Sequence, residues 1–204
     1  MVGLFLRAGF AMMIKSQRGD AGMKFRCECE TKTGRRLLIR SLTPADAEEV
    51  LAVCRKTAGE TLNMMRYADE WTMTAEQQAA VIKAAEDGAK SLMLGAFAGG
   101  RLAGVANLRP VHPGDRARHR AGVSIAILRA YWGQGIGSAL LGSLIEAAKT
   151  TNLEQLELDV VEGNAAAVAL YEKHGFKLYG RHPRMIRYRD GRYADTLLMM
   201  LILK

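Results

Sequence analysis

Three glycines occupy alternate positions in a short segment that follows an apolar stretch and precedes an apolar helix pattern. They are Gly133, Gly135 and Gly137 in residues 129–141, which read RAYWGQGIGSALL. Because glycine has no Cβ, backbone N–H groups in such a turn can converge on an anion, and the dipole of the following helix adds to the attraction. The segment therefore predicts a phosphate-binding turn, although a glycine-rich turn taken alone is a weak signal.

A second motif follows the next predicted strand, which covers residues 155–160. The sequence after that strand predicts a helix that is capped by Asn164 and ended by Gly175. Asn164 and Tyr171 are seven residues apart, which is two helical turns, so their side chains share one face of this helix. A polar cap and a phenol are thus predicted on one face of this helix.

The order of these features resembles the GCN5-related N-acetyltransferase (GNAT) family. The glycine turn is similar to the family's Arg/Gln-x-x-Gly-x-Gly/Ala signature, here read as Trp132, Gly133, Gln134, Gly135, Ile136 and Gly137. Trp132 departs from the usual Arg or Gln, but the family's pyrophosphate contacts come mostly from backbone N–H groups. The resemblance covers residues 37–203, and two looser segments, 60–70 and 190–195, look like the small bacterial branch that contains L-amino-acid N-acetyltransferases.

The resemblance implies acetyl-CoA as the cofactor. It assigns to cofactor binding Ile125, Ala126, Ile127, Trp132, Gly133, Gln134, Gly135, Ile136, Gly137, Ser138, Asn164 and Tyr171. In this scheme the N–H groups of residues 134–138 hold the pyrophosphate, and the strand at 125–127 presents its backbone to the pantetheine arm and thioester. Tyr171 is the candidate general acid for the leaving thiolate, while the alternative is an ordinary core aromatic.

No general base is evident from the motif. Many family members have a Glu on the strand before the glycine turn, but residues 121–127 read AGVSIAI and contain no acid. His119, just upstream, can relay a proton through water, or it belongs to a solvated basic stretch with its arginine neighbours. Deprotonating an amine of pKa ~10.4 at pH 7 costs roughly 4.6 kcal/mol, whereas an α-amine of pKa ~8 costs about 1.4, so an α-amine needs little help.

A charged segment upstream provides candidate acceptor-binding residues, namely Glu60, Arg66, Tyr67 and Glu70. By resemblance this loop covers the acceptor site, where an Arg can pair with a substrate carboxylate and an acid can hold the ammonium. A charged loop between two helices has the same composition when it binds nothing. The expected acceptor is a small amine such as an amino acid, with a polyamine, an aminoglycoside-like compound or a protein amino terminus as alternatives. Direct attack by the amine is expected, because nothing marks Cys54 as a nucleophile.

Composition narrows the class of protein. The chain has 204 residues, 49% apolar and 25% charged, which suits one soluble domain. No apolar run reaches the ~20 residues that a membrane helix needs, so no membrane contact is expected. The three cysteines suggest neither a disulfide framework nor a metal site, and a cytoplasmic location is expected. The net charge of +8 suits a phosphate-bearing cofactor, and nucleic-acid binding is not expected because no binding motif is present.

The predicted domain covers residues 23–204, and residues 1–22 are expected to be a disordered extension or an upstream start ahead of Met12, Met13 or Met23. Within the domain, strands are predicted at 24–30, 36–40, 91–98, 101–111, 118–127, 155–160, 176–181 and 196–203. Helices are predicted at 44–58, 75–88, 138–150 and 164–175. Hairpin turns are predicted at Lys32-Thr33-Gly34 and at Gly99-Gly100. The expected α/β (α+β) fold is a GNAT-like mixed, mostly antiparallel central sheet with helices on both faces.

Two other functions remain open at this level. A binding module that senses acyl-CoA without catalysis is favoured by the missing acid before the glycine turn, while Tyr171 speaks against it. A basic protein that binds RNA through its arginine stretches is the weaker alternative. A homodimer through the apolar segment 197–203 is also considered, although a core strand has the same composition.

Overall fold

In the computed structural model, the described residues are 2–4, 13–19, 22–31 and 34–204. Within them the strands are β1 (Val2–Leu4), β2 (Met13–Gly19), β3 (Gly22–Glu30), β4 (Arg36–Ser41), β5 (Leu92–Ala98), β6 (Arg101–Pro110), β7 (Arg120–Ile127), β8 (Gln155–Val161), β9 (Lys177–Arg187) and β10 (Tyr193–Ile202). The helices are α1 (Ala47–Glu60), α2 (Ala75–Asp87), α3 (Ile136–Lys149) and α4 (Ala165–Lys173). Short 3-10 helices cover Pro44–Asp46, Ala68–Glu70, Asp115–Ala117 and Arg129–Tyr131.

The described strands form one sheet in the order β1-β2-β3-β4-β5-β6-β7-β8-β10-β9. Each neighbouring pair is antiparallel except β7 and β8, which run parallel. β10 lies between β8 and β9, so both of its edges are paired. The predicted mixed, mostly antiparallel sheet is therefore confirmed.

The parallel pairing of β7 with β8 is short. It joins Arg120 to Gln155, Ala121 to Leu156 and Gly122 to Glu157, and it ends there. Farther along, β7 keeps its pairing with β6 as far as Ile127, and β8 keeps its pairing with β10 as far as Val161. The two strands thus separate towards their carboxyl ends, and we call the opening between residues 123–127 and 158–161 the β7–β8 cleft.

Apolar side chains pack on both faces of the sheet, as expected for a sheet with helices on both sides. On one face, α3 and Tyr171 of α4 pack on alternate strand residues, including Val123, Leu158 and Met199. On the other face, α1 and α2 cover a second core that includes Val105 and Ala126. Since side chains alternate along a strand, this second face also receives residues 122 and 124 of β7 and residues 157 and 159 of β8.

Most predicted elements are present with shifted ends. Thr74 caps α2 and accepts a hydrogen bond from the Gln77 N–H at 3.3 Å, and Gly99 and Gly100 make the predicted hairpin turn with φ values of 57° and 79°. The prediction that β9 ends at residue 181 is wrong, since β9 continues to Arg187. The extended part of β9 contacts β10 across the hairpin, since the Arg184 guanidinium lies 3.9 Å from the Tyr193 ring centre.

The amino-terminal prediction is only partly within the described residues. Inside the predicted extension 1–22, β1 pairs with β2, and β2 pairs with β3, which begins at Gly22. The other residues of 1–21 lie outside the described part. The domain boundary at residue 23 stays a prediction. Residues 32 and 33 of the predicted hairpin turn are also outside the described part, although β3 and β4 pair antiparallel as expected. None of the helices in the described ranges has the length and apolarity needed to cross a membrane.

Candidate functional site

The glycine turn lies at the carboxyl end of β7 and leads directly into α3. Gly133 and Gly135 have φ values of 71° and 83°, which is the left-handed region that glycine adopts at little cost. The first bond of the helix runs from the Ala139 N–H to the Gly135 carbonyl at 3.0 Å. The N–H groups of residues 133–138 have no acceptor in the described part of the chain, so they are free to bind an anion, and the phosphate-binding role of this turn stays a prediction that the geometry allows.

Trp132 and Gln134 hold this turn to the end of β7. The Trp132 Nε1–H donates to the Ile127 carbonyl at 2.8 Å, and the Gln134 side-chain amide donates to the Ala130 carbonyl at 2.8 Å. Trp132, where the family has Arg or Gln, therefore has a local structural role that the sequence did not indicate. The Gln134 Oε1 atom is buried and has no partner in the described part, so the turn keeps one unused acceptor.

The start of α3 contacts the end of α4. A Cβ on Gly137 would lie 3.0 Å from Leu170 and 3.2 Å from Ile127, so glycine allows α3 to approach both α4 and β7. The Ser138 hydroxyl and His174 Nε2 are hydrogen-bonded at 2.7 Å. Burial, and then the nearby Lys173 charge, lower the pKa of His174, which favours the neutral imidazole. The glycine turn motif and the helix that carries Asn164 and Tyr171 are thus in contact.

Asn164 and Tyr171 have the positions that their spacing predicts. The Asn164 side chain caps α4 by accepting a hydrogen bond from the Ala167 N–H at 3.3 Å. Tyr171 is buried, and its ring centre lies 5.8 Å from that of Phe176. Burial raises the pKa of Tyr171 to about 12, so the phenol keeps its proton at every physiological pH.

The backbone of residues 125–127 forms one lip of the β7–β8 cleft. These residues pair with β6 on one side, from Ile125 with Ala106 to Ile127 with Gly104. On the side that faces β8 they pair with no strand of the described part, because β7–β8 pairing ends at Gly122. The Ile127 carbonyl binds the Trp132 side chain, and the other amide and carbonyl groups on this side can bind an extended ligand in the manner of an added strand.

The loop after α1 crosses the carboxyl end of the cleft, and we call residues 61–70 the roof loop. On one side, the Glu60 carboxylate accepts a hydrogen bond from the Arg129 N–H at 2.7 Å, next to the glycine turn. On the other side, the Tyr67 hydroxyl accepts from the Arg189 N–H at 2.9 Å, and the Arg189 guanidinium pairs with Asp69 at 2.8 Å. Arg189 lies in the turn between β9 and β10, so the roof loop is held at both sides of the cleft.

The four predicted acceptor-binding residues have different surroundings. Glu60 binds Arg129 as described above, and the Glu70 carboxylate accepts from the Tyr67 N–H at 2.7 Å within the loop. Arg66 lies over the Trp71 ring, 5.2 Å from its centre, and it has no carboxylate partner among the described residues. Of the four, Arg66 is therefore the one whose side chain makes no hydrogen bond or ion pair with a described residue.

His119 is not brought to this site. It directly precedes β7, whose 8 residues span about 26 Å at ~3.3 Å per residue, so it lies at the end of the strand opposite to the glycine turn. Its carbonyl accepts hydrogen bonds from the Glu154 and Gln155 N–H groups at 2.8 and 3.2 Å. These contacts join the starts of β7 and β8, and the predicted proton relay by His119 stays a prediction without geometric support.

One acidic residue at the cleft was missed by the sequence analysis. Asp159 is exposed on β8, on the same face of the sheet as Ser124 of β7. A signal was available, since Asp159 alternates with the apolar residues Leu158 and Val160 of a strand that ends at the Asn164 motif. In the ranges that the structure describes, no group of three or more His, Cys, Asp or Glu side chains could hold a metal ion.

Comparison with known proteins agrees with this geometry. Residues 58–176 match the Acetyltransferase (GNAT) family. The N-alpha-acetyltransferase of Sulfurisphaera tokodaii is 30% identical over 83% of this chain and 95% of its own length. The L-methionine sulfoximine/L-methionine sulfone acetyltransferase of Pseudomonas aeruginosa is 28% identical over 80% of this chain and 92% of its own.

Solved structures share the fold. The acetyltransferase of GNAT family from Streptococcus pneumoniae is 33% identical and superimposes with a TM-score of 0.79, covering 82% of this chain and 99% of its own. The predicted GNAT-like architecture is confirmed by this match, and the prediction of an N-acetyltransferase is confirmed by the family and by the relatives. The chain therefore belongs to the GNAT family of acetyltransferases.

Proposed function

We propose that this protein transfers the acetyl group of acetyl-CoA to the primary amine of a small, amino-acid-like molecule by direct attack. The observation that carries the proposal is the β7–β8 cleft. The glycine turn follows β7 on one side of the cleft, and α4, which Asn164 caps and which bears Tyr171, follows β8 on the other. Because the cleft joins an anion-binding helix end to a buried proton donor, it supplies both groups that thioester cleavage needs.

The residues fit the phosphates and the arm of this cofactor. Residues 133–138 offer consecutive free N–H groups at the start of α3, and a Cβ at Gly133 would meet no atom within 4 Å, so the surface there is open to a ligand. Lys173 adds a positive charge beside them, since its Nζ donates to the Ser138 hydroxyl at 3.4 Å. The free edge of residues 125–127 suits the amide groups of an extended arm.

Tyr171 is the proton donor in this proposal. When bound, the cofactor would supply a thioester, and its acetyl carbon would exchange the bond to sulfur for a bond to the amine nitrogen. Tyr171 gives its proton to the departing sulfur and later recovers a proton from the solvent. The incoming ammonium loses two protons overall, so one proton is released to the solvent for each thiol formed. A pKa of about 12 keeps Tyr171 in the donor form throughout.

The roof loop supports a small acceptor. Arg66 has no carboxylate partner in the described part and can bind the carboxylate of an amino acid, while Trp71 below it provides an apolar wall. The name of the Pseudomonas aeruginosa relative also supports an acceptor of this class. A sensor without catalysis is not favoured, because the relatives are named as acetyltransferases.

The test is a thiol-release assay with acetyl-CoA and a panel of acceptors. The panel contains L-methionine sulfone, other free amino acids, polyamines, an aminoglycoside and peptides with a free amino terminus. We expect turnover of at least one free amino acid and a raised thermal midpoint with CoA alone. Turnover of peptides only would replace the small acceptor by a protein amino terminus. A chain that neither binds CoA nor releases thiol would overturn the proposal.

Two further expectations stay predictions. A homodimer through residues 197–203 cannot use the edges of β10, because both are paired, and it would need the face that bears Leu198 and Met200. Light scattering coupled to size exclusion measures the mass directly. The cytoplasmic location is tested by fractionation of the cells that produce the protein.

A further inference from the structure

We propose that Asp159 binds and orients the ammonium group of the acceptor. This inference rests on the proposed acetyl transfer and deepens it, because it names a residue for the amine, for which the family motif provides none. Asp159 lies on β8, on the lip of the cleft opposite to the one that carries the glycine turn.

The register of the strands puts Asp159 where the cleft begins to open. The last parallel pair joins Gly122 to Glu157, and the next residues on the same face are Ser124 and Asp159. Both side chains are exposed, and both point to the side of the sheet that α1 covers only as far as β7. A ligand that enters below the roof loop on this side therefore meets Asp159 on one lip and Ser124 on the other.

Other carboxylates near the cleft already have partners. The Glu157 carboxylate binds the Arg120 guanidinium and the Gln155 amide, which leaves no free charge there. Of the remaining acids near the cleft, Glu60 and Glu70 each accept a backbone N–H, and Asp69, Glu162, Asp190 and Asp195 pair with arginine side chains. Asp159 has neither a hydrogen bond nor an ion pair with any described residue. Its carboxylate is thus the one at the cleft that no described group binds.

The opposite lip carries complementary polar groups. The Asn107 amide donates to the Ser124 hydroxyl at 3.2 Å, and this pair lies on the same face as Asp159. The Asn107 Oδ1 atom is buried and has no partner in the described part of the chain. On β10, Thr196 is 1% exposed and its hydroxyl is likewise without a partner there. Buried polar atoms are seldom left unpaired, so their presence on this face indicates a polar ligand.

The charges of the site match a zwitterion. Asp159 offers a carboxylate at the cleft, and Arg66 offers a guanidinium at the roof loop, and neither is neutralised by a described residue. An amino acid carries the two opposite charges on one carbon. Asp159 holds its nitrogen between the lips, and the exposed position of this carboxylate lets the proton leave to water before the nitrogen attacks.

The experiment compares Asp159→Asn with Glu154→Gln. Both changes remove one negative charge from an exposed side chain of the same segment, but Glu154 precedes β8 at the end opposite to the cleft. With L-methionine sulfone as the acceptor, we expect Asp159→Asn to lower kcat/KM for the amine by about 10- to 100-fold, mainly through KM, as for loss of a charged hydrogen bond. In Asp159→Asn, KM for acetyl-CoA and the thermal midpoint should stay as in the wild type. In Glu154→Gln, kcat/KM for the amine should also equal the wild-type value.

A second measurement separates this inference from the proposed function. Calorimetric binding of L-methionine sulfone to the CoA-bound protein reports on Asp159 even when no turnover occurs, and the analogue without the amino group serves as a probe. We expect Asp159→Asn to weaken the binding of L-methionine sulfone by the same factor and to leave the binding of the analogue unchanged. The assignment would be overturned if kcat/KM were equal in the wild type and in Asp159→Asn. It would also be overturned if the variant lost the same affinity for both compounds, or if the wild type did not bind the amine. Loss of turnover in the wild type with amine binding intact would count against the proposed reaction alone.

Discussion

The Glu60 carboxylate at the end of α1 accepts a hydrogen bond from the backbone N–H of Arg129 at 2.7 Å. Arg129 begins the 3-10 helix that leads into the glycine turn, so this bond ties the helix before the roof loop to the proposed phosphate site. The roof loop and the glycine turn, which are proposed to bind the acceptor and the cofactor, therefore share one anchor. The contact gives Glu60 a role in positioning both elements, and its contact with the substrate stays a prediction.

The first prediction tests this anchor with two substitutions. Glu60→Ala removes the acceptor of the Arg129 N–H, and we expect KM for acetyl-CoA to rise by about 3- to 10-fold, as for loss of one hydrogen bond to a charged group. Glu60→Gln keeps a side-chain oxygen in the same place and should stay within about twofold of the wild type. Steady-state kinetics with acetyl-CoA as the varied substrate measure both. A similar loss in Glu60→Gln and Glu60→Ala would mean that the charge matters and that the hydrogen bond does not.

The second prediction concerns the conformation of Gly135. With φ at 83°, an alanine there costs roughly 1 to 2 kcal/mol and brings a methyl group to the anion-binding N–H groups. We expect Gly135→Ala to lower the thermal midpoint by several degrees and to abolish the stabilisation by CoA.

Gly142 provides the control on the same helix. It lies within α3, and an added Cβ would lie 3.5 Å from His174, which is an ordinary contact. Gly142→Ala should therefore leave CoA binding intact and keep or raise the midpoint, because alanine is the better helix former by about 1 kcal/mol. Thermal scans with and without CoA compare the two variants. If CoA raised the thermal midpoint of Gly135→Ala as much as that of the wild type, the glycine turn would not be part of the CoA-binding site.

The third prediction follows from the raised pKa of Tyr171. Tyr171→Phe keeps the buried ring but removes the donor, so kcat should fall by about 100-fold or more while CoA binding is retained. Because the wild-type pKa of about 12 lies above the ordinary value, ionisation of this phenol should cause no fall of kcat between pH 7 and about pH 10. The pH profile of kcat measures this. Tyr193→Phe, which removes an exposed phenol on the β9–β10 hairpin, is the matched control.

The sequence predicted those parts of the site that depend on local backbone geometry. The glycine turn, the Asn164 cap and the helix end at Gly175 each require a particular residue type at a particular position, and the structure has all of them. The resemblance to the family predicted that these features belong to one site. The Trp132 contact with Ile127 was not predictable, because it depends on how a side chain folds back across the turn.

The cleft and Asp159 required information that the sequence does not carry locally. The point where β7 and β8 separate depends on the register of two strands joined by a helix, and the parallel pairing stops after Gly122. The face on which Asp159 lies follows from strand alternation, but the sequence does not tell which face of β8 lacks a helix. His119 was a candidate because of its chemistry, but the 8 residues of β7 separate it from the glycine turn.

The last prediction concerns stability and the Asp46 carboxylate, which precedes α1. The Arg40 guanidinium binds it at 2.6 and 2.8 Å, and the N–H and hydroxyl of Thr43 donate to it at 2.7 and 2.9 Å. These contacts, the bond to Arg40 first, lower the pKa of Asp46 from 3.8 to about 2. The folded-state pKa lies below the unfolded one, so the ionised carboxylate stabilises the fold above about pH 4, by on the order of 2 kcal/mol, and this contribution is lost as the pH falls towards 2.

Asp46→Asn should therefore lower the free energy of unfolding at pH 7 by on the order of 2 kcal/mol, and the difference from the wild type should shrink between about pH 4 and pH 2. Asp87→Asn is the control, because its partner Lys83 and Asp87 itself are both more than half exposed and such surface pairs contribute about 0 to 1 kcal/mol. Urea unfolding across this pH range measures both variants. A difference for Asp46→Asn that persists unchanged at the lowest pH would show that the side chain acts through packing and that its charge contributes little.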